Sequence, residues 1–397
     1  AVKEGDLVAG THGRAFWILD DLSVLRQYAA ANADKDLHLF KPRETYRITL
    51  GGFFFGGGGA GAQASTPFPP LTGWDGAVIQ YWLKKGGQKV TVDFLDAQGQ
   101  VLRSFSSEQD PIARADSIKR AGEREERAMQ ARKTADSLAA LGVMSASVRP
   151  DTAAPVQQQA GWRYTPPLRT TNRAGMNRFI WNLRAEDAVG FDGLIMWAGG
   201  TQGPMIPPGT YTVRVTAGDK TETQTFVVKR DPRTDATQAD LDEQYAFLKR
   251  IQATSNDANN AVRTVRNVRT QLDDRKAKAG ARGAALARLA QTLDGQISAA
   301  EEEIYQVRNR AGQDPLNYPI KLNNQIAALA GVVSSAEAKP TKQSYEVFEL
   351  LSGQLKVQLD RLQAAFGPSL AAVNAELARL GLPPIVPSKE QIVVPIS

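Results

Sequence analysis

Two hydrophobic periods meet in this sequence at Lys229-Arg-Asp-Pro-Arg233, and their meeting constrains the fold more than any single motif. Before that point apolar residues alternate with polar ones, as in Val90, Val92 and Phe94, in Phe179, Trp181 and Leu183, and in Tyr211, Val213 and Val215. Alternation of this kind turns one face of a strand toward a core. After it, Leu241, Tyr245, Leu248, Ile251, Ala258, Val262, Val265, Val268 and Leu272 recur at spacings of three, four or seven, which is one stripe of a long helix. A chain that changes period in this way is expected to be a multidomain α+β protein, with strands and helices segregated. Its 397 residues are enough for two or three domains, each with its own core.

The strand-forming part, residues 77–228, is written in two halves, VIQYWLKKGGQKVTVDFLDAQGQVLRSF and GMNRFIWNLR with IPPGTYTVRVTAGDKTETQTFVVK. Lys84-Lys-Gly-Gly, Asp96-Ala-Gln-Gly and Ala217-Gly-Asp-Lys are turn signals between strands. Asp93 and Asp96 invite a metal reading, yet an aspartate opening a turn with glycine at its fourth position is explained by turn geometry. Between the halves, residues 110–141 read as a charged helix that starts at Pro111 and carries a thin stripe of Ile112, Ile118, Met129, Leu138 and Leu141. The insertion as a whole is placed at 108–165, with a Pro/Ala/Gln linker at 149–159, and is a candidate docking arm or a solvated charged helix. The two halves resemble an immunoglobulin/fibronectin-like β-sandwich, expected over 41–230 with this helical insertion.

Beyond the boundary, Thr237 or Asp235 is placed to cap the first helix. A second helix carries Leu286, Leu289, Leu293, Ile297, Ile304 and Val307 and is expected to end near Gly312; a third carries Leu322, Ile326, Leu329 and Val333. A fourth runs from Pro340 through Phe348, Leu351, Leu355, Leu359, Leu362 and Phe366 to an interruption at Gly367-Pro368, and Leu370, Val373, Leu377 and Leu380 resume it. Such stripes need partners, so an antiparallel helical bundle is expected over 231–381. Arg263, Arg266 and Arg269 line one side of its first helix, either as a solvated face or as a site for an acidic partner or lipid headgroups. The extended tail, 382–397, is apolar and proline-punctuated; with Ile392, Val393 and Val394 it is expected to lie along the bundle or to add an edge strand to a neighbour.

At the other end, Asp6-Leu-Val-Ala and Ala15-Phe-Trp-Ile-Leu read as two strands joined by the turn Thr11-His-Gly-Arg. Apolar on both faces, such a hairpin is marginal alone and should complete a sheet whose other strands lie elsewhere. GDLVAGTHGRAFWILDDLSVLRQ followed by LHLFKPRETYRI resembles the end of the propeller in bacterial sortilin-like repeat-propeller proteins, often labelled glycosyl-hydrolase-like. The resemblance extends through GMNRFIWNLR, PPGTYTVRV, KLNNQIAALAGVV and YEVFELLSGQL. It implies that residues 1–40 are the remnant of a last blade, that a sandwich and a bundle follow, and that the chain is periplasmic or secreted. The remaining blades are missing, and no sialidase-type Asp-box is present. The chain opens at Ala1 with neither an initiating methionine nor a signal peptide, as expected of a processed chain or a fragment.

Composition narrows the chemistry. With no cysteine there are no disulfides, thiolate metal sites or cysteine nucleophiles, and with only His12 and His38 there is no histidine-rich metal site. His12 reads as a turn histidine, with contact to a substrate at a propeller mouth as the alternative, and His38 as a packing residue. The charge of +6 is spread along the chain without a nucleic-acid-binding signature, and no run approaches the ~20 apolar residues of a membrane span. The glycine-rich stretch around Phe53, Phe54 and Phe55 leads into Pro67-Phe-Pro-Pro, not into a helix, so it is read as a surface loop with aromatic docking residues rather than a phosphate cradle. Trp162, Tyr164, Trp181 and Trp197 suggest a sugar platform; core packing suits Trp181 better, which leaves Trp197 as the exposed candidate. Glu186 and Asp187 are adjacent, a spacing that does not flank a glycosidic bond with two carboxylates. The expectation is a non-catalytic, extracytoplasmic structural or protein-interaction module that docks to or stabilises a larger assembly, either its own missing propeller or a membrane-associated complex, without cofactor or metal. The alternatives are an accessory region of a glycosidase-like propeller hydrolase, or a carbohydrate-binding module.

Overall fold

A computed structural model describes residues 2–3, 5–13, 16–19, 21–28, 35–48, 76–108, 129 and 168–387. The chain is α+β. It opens with β1 (Val2–Lys3), β2 (Asp6–Gly10) and β3 (Phe16–Leu19), an antiparallel sheet in that order, with Leu7 opposite Leu19 and Gly10 opposite Phe16. The expected hairpin is thus present, and among the described residues no further strand joins it. The short helix α1 (Ser23–Tyr28) follows; Gln27 accepts from the Lys41 N–H (2.8 Å) and donates to its carbonyl (3.2 Å), while Arg43 reaches Asp6 (3.2 Å).

Two sheets then face each other across one apolar core. The first, in the order β4 (Leu37–Leu39), β6 (Ala77–Leu83), β9 (Gly175–Trp181), is antiparallel. The second runs β5 (Thr45–Arg47), β11 (Lys220–Arg230), β10 (Gly209–Ala217), β7 (Val90–Leu95), β8 (Val101–Ser106), with β5 parallel to β11. Strict alternation buries Ala77, Ile79, Tyr81 and Leu83 from β6 against Val90, Val92 and Phe94 from β7. At the centre the fully buried Trp181 ring stacks on Phe94 at 4.0 Å between centroids, and its indole N–H donates to the Arg184 carbonyl (2.9 Å). The indole therefore enters the core without an unpaired donor. Gly76, at φ +116°, lies so close to β9 that a Cβ there would sit 2.0 Å from the Trp181 carbonyl oxygen.

Leu37 and Leu39 of β4, which the sequence groups with the hairpin, are buried in the core between the two sheets. Asp96 acts as a turn residue, its Oδ1 accepting from the N–H groups of Gln98 and Gln100, and Asp93 is held by Ser104 (2.6 Å) and Arg214 (2.8 Å). The loop at Phe53–Phe55 and the linker at 149–159 lie outside the described residues, as does the helical insertion apart from Met129, which is helical and exposed.

The 42-residue α2 (Gln238–Ala279) starts at a capping box in which Thr237 and Asp240 satisfy each other's backbone N–H groups. Against it pack α3 (Ala284–Ile304), α4 (Leu322–Val333) and α5 (Lys342–Ala364), and α6 (Leu370–Arg379) packs against α3, through a core that includes Val265, Ile297, Ile326, Leu359 and Val373. The second helix stops at Ile304, short of the expected Gly312, because Tyr305 turns extended and sends its phenol toward the segment between the sheets. Gly367-Pro368 does not break the fourth helix: a π-helical turn over Ala365–Ser369 absorbs the proline, which has no N–H to donate, and α5 passes directly into α6. Residues 382–387 lie along the helices, where Asn374 pairs with both the N–H (2.7 Å) and the carbonyl (3.0 Å) of Ile385, and Gln271 does the same for Val386. The rest of the tail, with Ile392, Val393 and Val394, lies outside the described residues. Among the described residues no helix is long and apolar enough to cross a membrane.

Truncating Trp181 to alanine removes the ring that both sheets share and is expected to cost about 3–5 kcal/mol, read as a lower urea midpoint. A second test concerns Asp257 on α2, which is half-buried and whose side chain makes no hydrogen bond or ion pair among the described residues; desolvation raises its carboxyl pKa to about 6. The unfolded chain holds the same group near ~3.9, so from about pH 4 to pH 6 the folded state carries the extra proton and stability falls as the pH rises. Asp257→Asn is therefore expected to stabilise the protein above pH 6, with a gain that disappears below about pH 4 in denaturation curves taken across that range.

Candidate functional site

The segment between β9 and β10, residues 182–208, leaves the sheets, crosses the helices and returns. Backbone that leaves a sheet carries N–H and C=O groups that must find partners wherever it is buried. Here carboxamide side chains supply them, since each amide offers a donor and an acceptor together. Asn324 accepts from the Trp197 N–H and donates to its carbonyl, both at 2.7 Å. Asn256 takes the Val189 N–H (2.7 Å), and Asn259, itself held by Asn323 (3.2 Å), donates to the Val189 carbonyl (2.8 Å). The Tyr305 hydroxyl donates to the Gly193 carbonyl (2.9 Å) and accepts from the Ile195 N–H (3.3 Å). Close approach needs small residues: a Cβ on Gly199 would lie 2.8 Å from the Ala328 nitrogen of α4.

Where this strap returns, one buried arginine joins three parts of the fold. Arg47, at the end of β5, donates through Nε to the Ile206 carbonyl (3.0 Å), through Nη2 to Gln244 of α2 (2.9 Å), and through Nη1 to Glu337, just beyond α4. Arg47 and Glu337 side chains are 3% and 4% exposed. Gln244 in turn donates to the carbonyls of Val333 (2.9 Å) and Ala336 (2.7 Å), closing the C-terminal end of α4. Burial lowers the Arg47 pKa and Glu337 opposes that shift, so the pair is held as a paired charge.

Beside this junction is a cleft of about 570 Å³ lined by residues that include Arg47, Arg184, Met196, Met205, Ile251 and Ala327. Among the described residues its lining holds no carboxylate, histidine or tyrosine, and the hydroxyls there are those of Ser255 and Ser334. The cleft is mostly apolar with a positive wall. Burial lowers the Arg184 pKa, and Asp187 opposes this while Arg47 adds to it.

The residues singled out from the sequence do not converge on this place. Arg266 and Arg269 are engaged inside the helical part, where both contact the 3%-exposed Glu301 (3.2 and 3.0 Å). Arg269 also reaches Asp294 (2.9 Å), and Arg266 lies over the Phe191 ring at 4.7 Å. These two therefore clasp α2 to α3 and to the strap rather than forming an open docking face. Arg263, next along α2, also has an interaction partner. Trp197 is half-buried with its backbone clamped by Asn324, and Trp181 is core. Trp162 and Tyr164 lie outside the described residues. Asp187 binds Arg103 (2.7 Å) and the Gly203 N–H (2.9 Å), and Glu186 is exposed. His12 is exposed in its turn, and His38 packs on Phe40 at 4.7 Å with Glu222 3.6 Å from Nδ1. Among the described residues no three His, Asp or Glu side chains are grouped to hold a metal ion. Arg47, Arg184, Gln244 and Glu337 were not legible as a site; the doublets Asn259-Asn260 and Asn323-Asn324, polar residues interrupting apolar helix stripes, were the available signal.

Arg47→Met is expected to cost about 3–5 kcal/mol, because it leaves the buried Glu337 without its guanidinium. Arg47→Met combined with Glu337→Met is expected to recover most of that loss in urea denaturation; a double variant as unstable as the single one would refute the pairing.

Compared with models of known protein families, with curated proteins and with solved structures, the chain matches none.

Proposed function

We propose that this chain is a non-catalytic structural and protein-interaction module that docks to or stabilises a larger extracytoplasmic assembly. The observation that carries the reading is β3, where Phe16, Trp17, Ile18 and Leu19 are 79%, 64%, 63% and 50% exposed. Consecutive strand residues point to opposite faces, so both faces of this three-stranded sheet carry exposed apolar side chains. A ribbon of this kind is marginal in water and gains stability from a covering sheet. Its expected occupant is a β-sheet domain of the propeller type that the sequence of this hairpin resembles, with β1–β3 as part of its last blade.

In the same reading, the two sheets around Trp181 and Phe94 form an immunoglobulin/fibronectin-like sandwich. The helices form an antiparallel bundle, a view supported by Arg269 of α2 reaching Asp294 and Glu301 of α3. The strap and the Arg47 junction fix one to the other, so the module presents its hairpin from a firm base. A periplasmic or secreted location goes with the propeller resemblance.

Photo-crosslinking in the source cell tests the reading. A benzoylphenylalanine in place of Ile18 is expected to give one discrete adduct, and the same group in place of the exposed Lys356 on α5 none. Absence of an adduct at Ile18, or the same pattern at both positions, would count against docking through the hairpin.

A further inference from the structure

We infer that the cleft beside the Arg47 junction binds a carboxylate carried on an apolar body, with Arg184 as the group that holds the carboxylate. Arg184 lies partly buried in the cleft wall and, among the described residues, has no carboxylate within 4.0 Å. Its guanidinium makes one hydrogen bond, from Nη1 to the Gly203 carbonyl (2.9 Å), while Nε and Nη2 make none among the described residues. Asp187, the acid whose charge acts on Arg184, is already taken by Arg103 at 2.7 Å. A partly desolvated guanidinium that shares its neighbouring acid with Arg103 is incompletely compensated, and an anion entering the cleft relieves that cost.

Arg47 shares the cleft, but its charge is balanced by Glu337 and its nitrogens are used on Ile206, Gln244 and Glu337. The cleft therefore offers one free guanidinium edge, which matches the two oxygens of a carboxylate better than a multiply charged phosphate. Ser255 adds a hydroxyl: the residue is 5% exposed, lines the cleft and makes no side-chain hydrogen bond among the described residues. The remaining contacts are apolar, from Met196, Met205 and Ile251, and a volume of about 570 Å³ accommodates an aliphatic chain. Among the described residues no acidic side chain in the lining repels the anion.

The chemistry fits either a free aliphatic acid or the C-terminus of an apolar peptide. The test is calorimetric titration of the full chain with sodium octanoate, 1-octanol, inorganic phosphate, and an acetylated Ala-Leu-Leu peptide as free acid and as amide. At least one of the two carboxylates is expected to bind, at least tenfold more tightly than its uncharged counterpart and than phosphate. Octanoate binding assigns a free acid, and binding of the peptide acid alone assigns a chain end. Arg184→Gln is expected to weaken binding at least tenfold. Gly200→Trp provides an independent variant, since Gly200 lines the cleft and has no atom within 4 Å of its Cβ position; it is expected to block binding with the near-ultraviolet dichroism otherwise retained. Failure of both carboxylates to bind, phosphate binding as tightly as either, or binding indifferent to Gly200→Trp would overturn the assignment.

Discussion

The buried pairing of Arg47 with Glu337 is the constraint on which the arrangement of this protein rests. A guanidinium that is 3% exposed is tolerable only where its donors are met, and here a strap carbonyl, a helix glutamine and a loop glutamate meet them. Each partner comes from a different part of the fold. Displacing α2 or α4 relative to β5 would strand a charge and several amide donors in the interior. The sheets and helices are in this way set in one relation to each other by polar geometry, while the apolar cores on either side supply the bulk of the burial.

The strap follows the same logic with neutral groups. Asn324, Asn256, Asn259 and Tyr305 each satisfy backbone of a segment that belongs to neither a sheet nor a helix, and Asn374 and Gln271 repeat the device for residues 385 and 386. Amides aligned on a helix act as a template for extended chain, because a carboxamide reproduces the donor and acceptor of a neighbouring strand. The cleft beside Arg184 is a consequence: a strap held at fixed points over α2 and α4 leaves the space between them open.

What the sequence revealed and what it hid divide along a physical line. Local periodicity placed Phe94, Trp181 and Val213 in the core and aligned Val262, Val265 and Val268 on one helix stripe, because burial imposes the period of the element itself. Long-range polar pairing has no period. Arg47 and Glu337 are 290 positions apart, and nothing near either residue marks the other. Arg266 and Arg269 looked like a solvated face because Glu301, which occupies them, lies on the next helix. Gly367-Pro368 looked like a break because proline propensity is a local rule, and a single wide turn was enough to satisfy it while packing carried the helix on. The pairing of β2 with β3 and the apolar character of both their faces were legible, since strands and turn are local, whereas the two-residue β1 carried no pattern to mark it.

Two sheets and five helices joined at the Arg47 junction should unfold as one body, and the exposed apolar hairpin should not share their protection. Native-state hydrogen exchange measures this directly. The most protected amides of β6, β7 and β10 and those of α2 and α4 are expected to exchange through a common global opening with the same denaturant dependence, and β2 and β3 amides to exchange far faster in the isolated chain. Helix amides that open at lower free energy than the sheets, or hairpin amides as protected as the core, would contradict it.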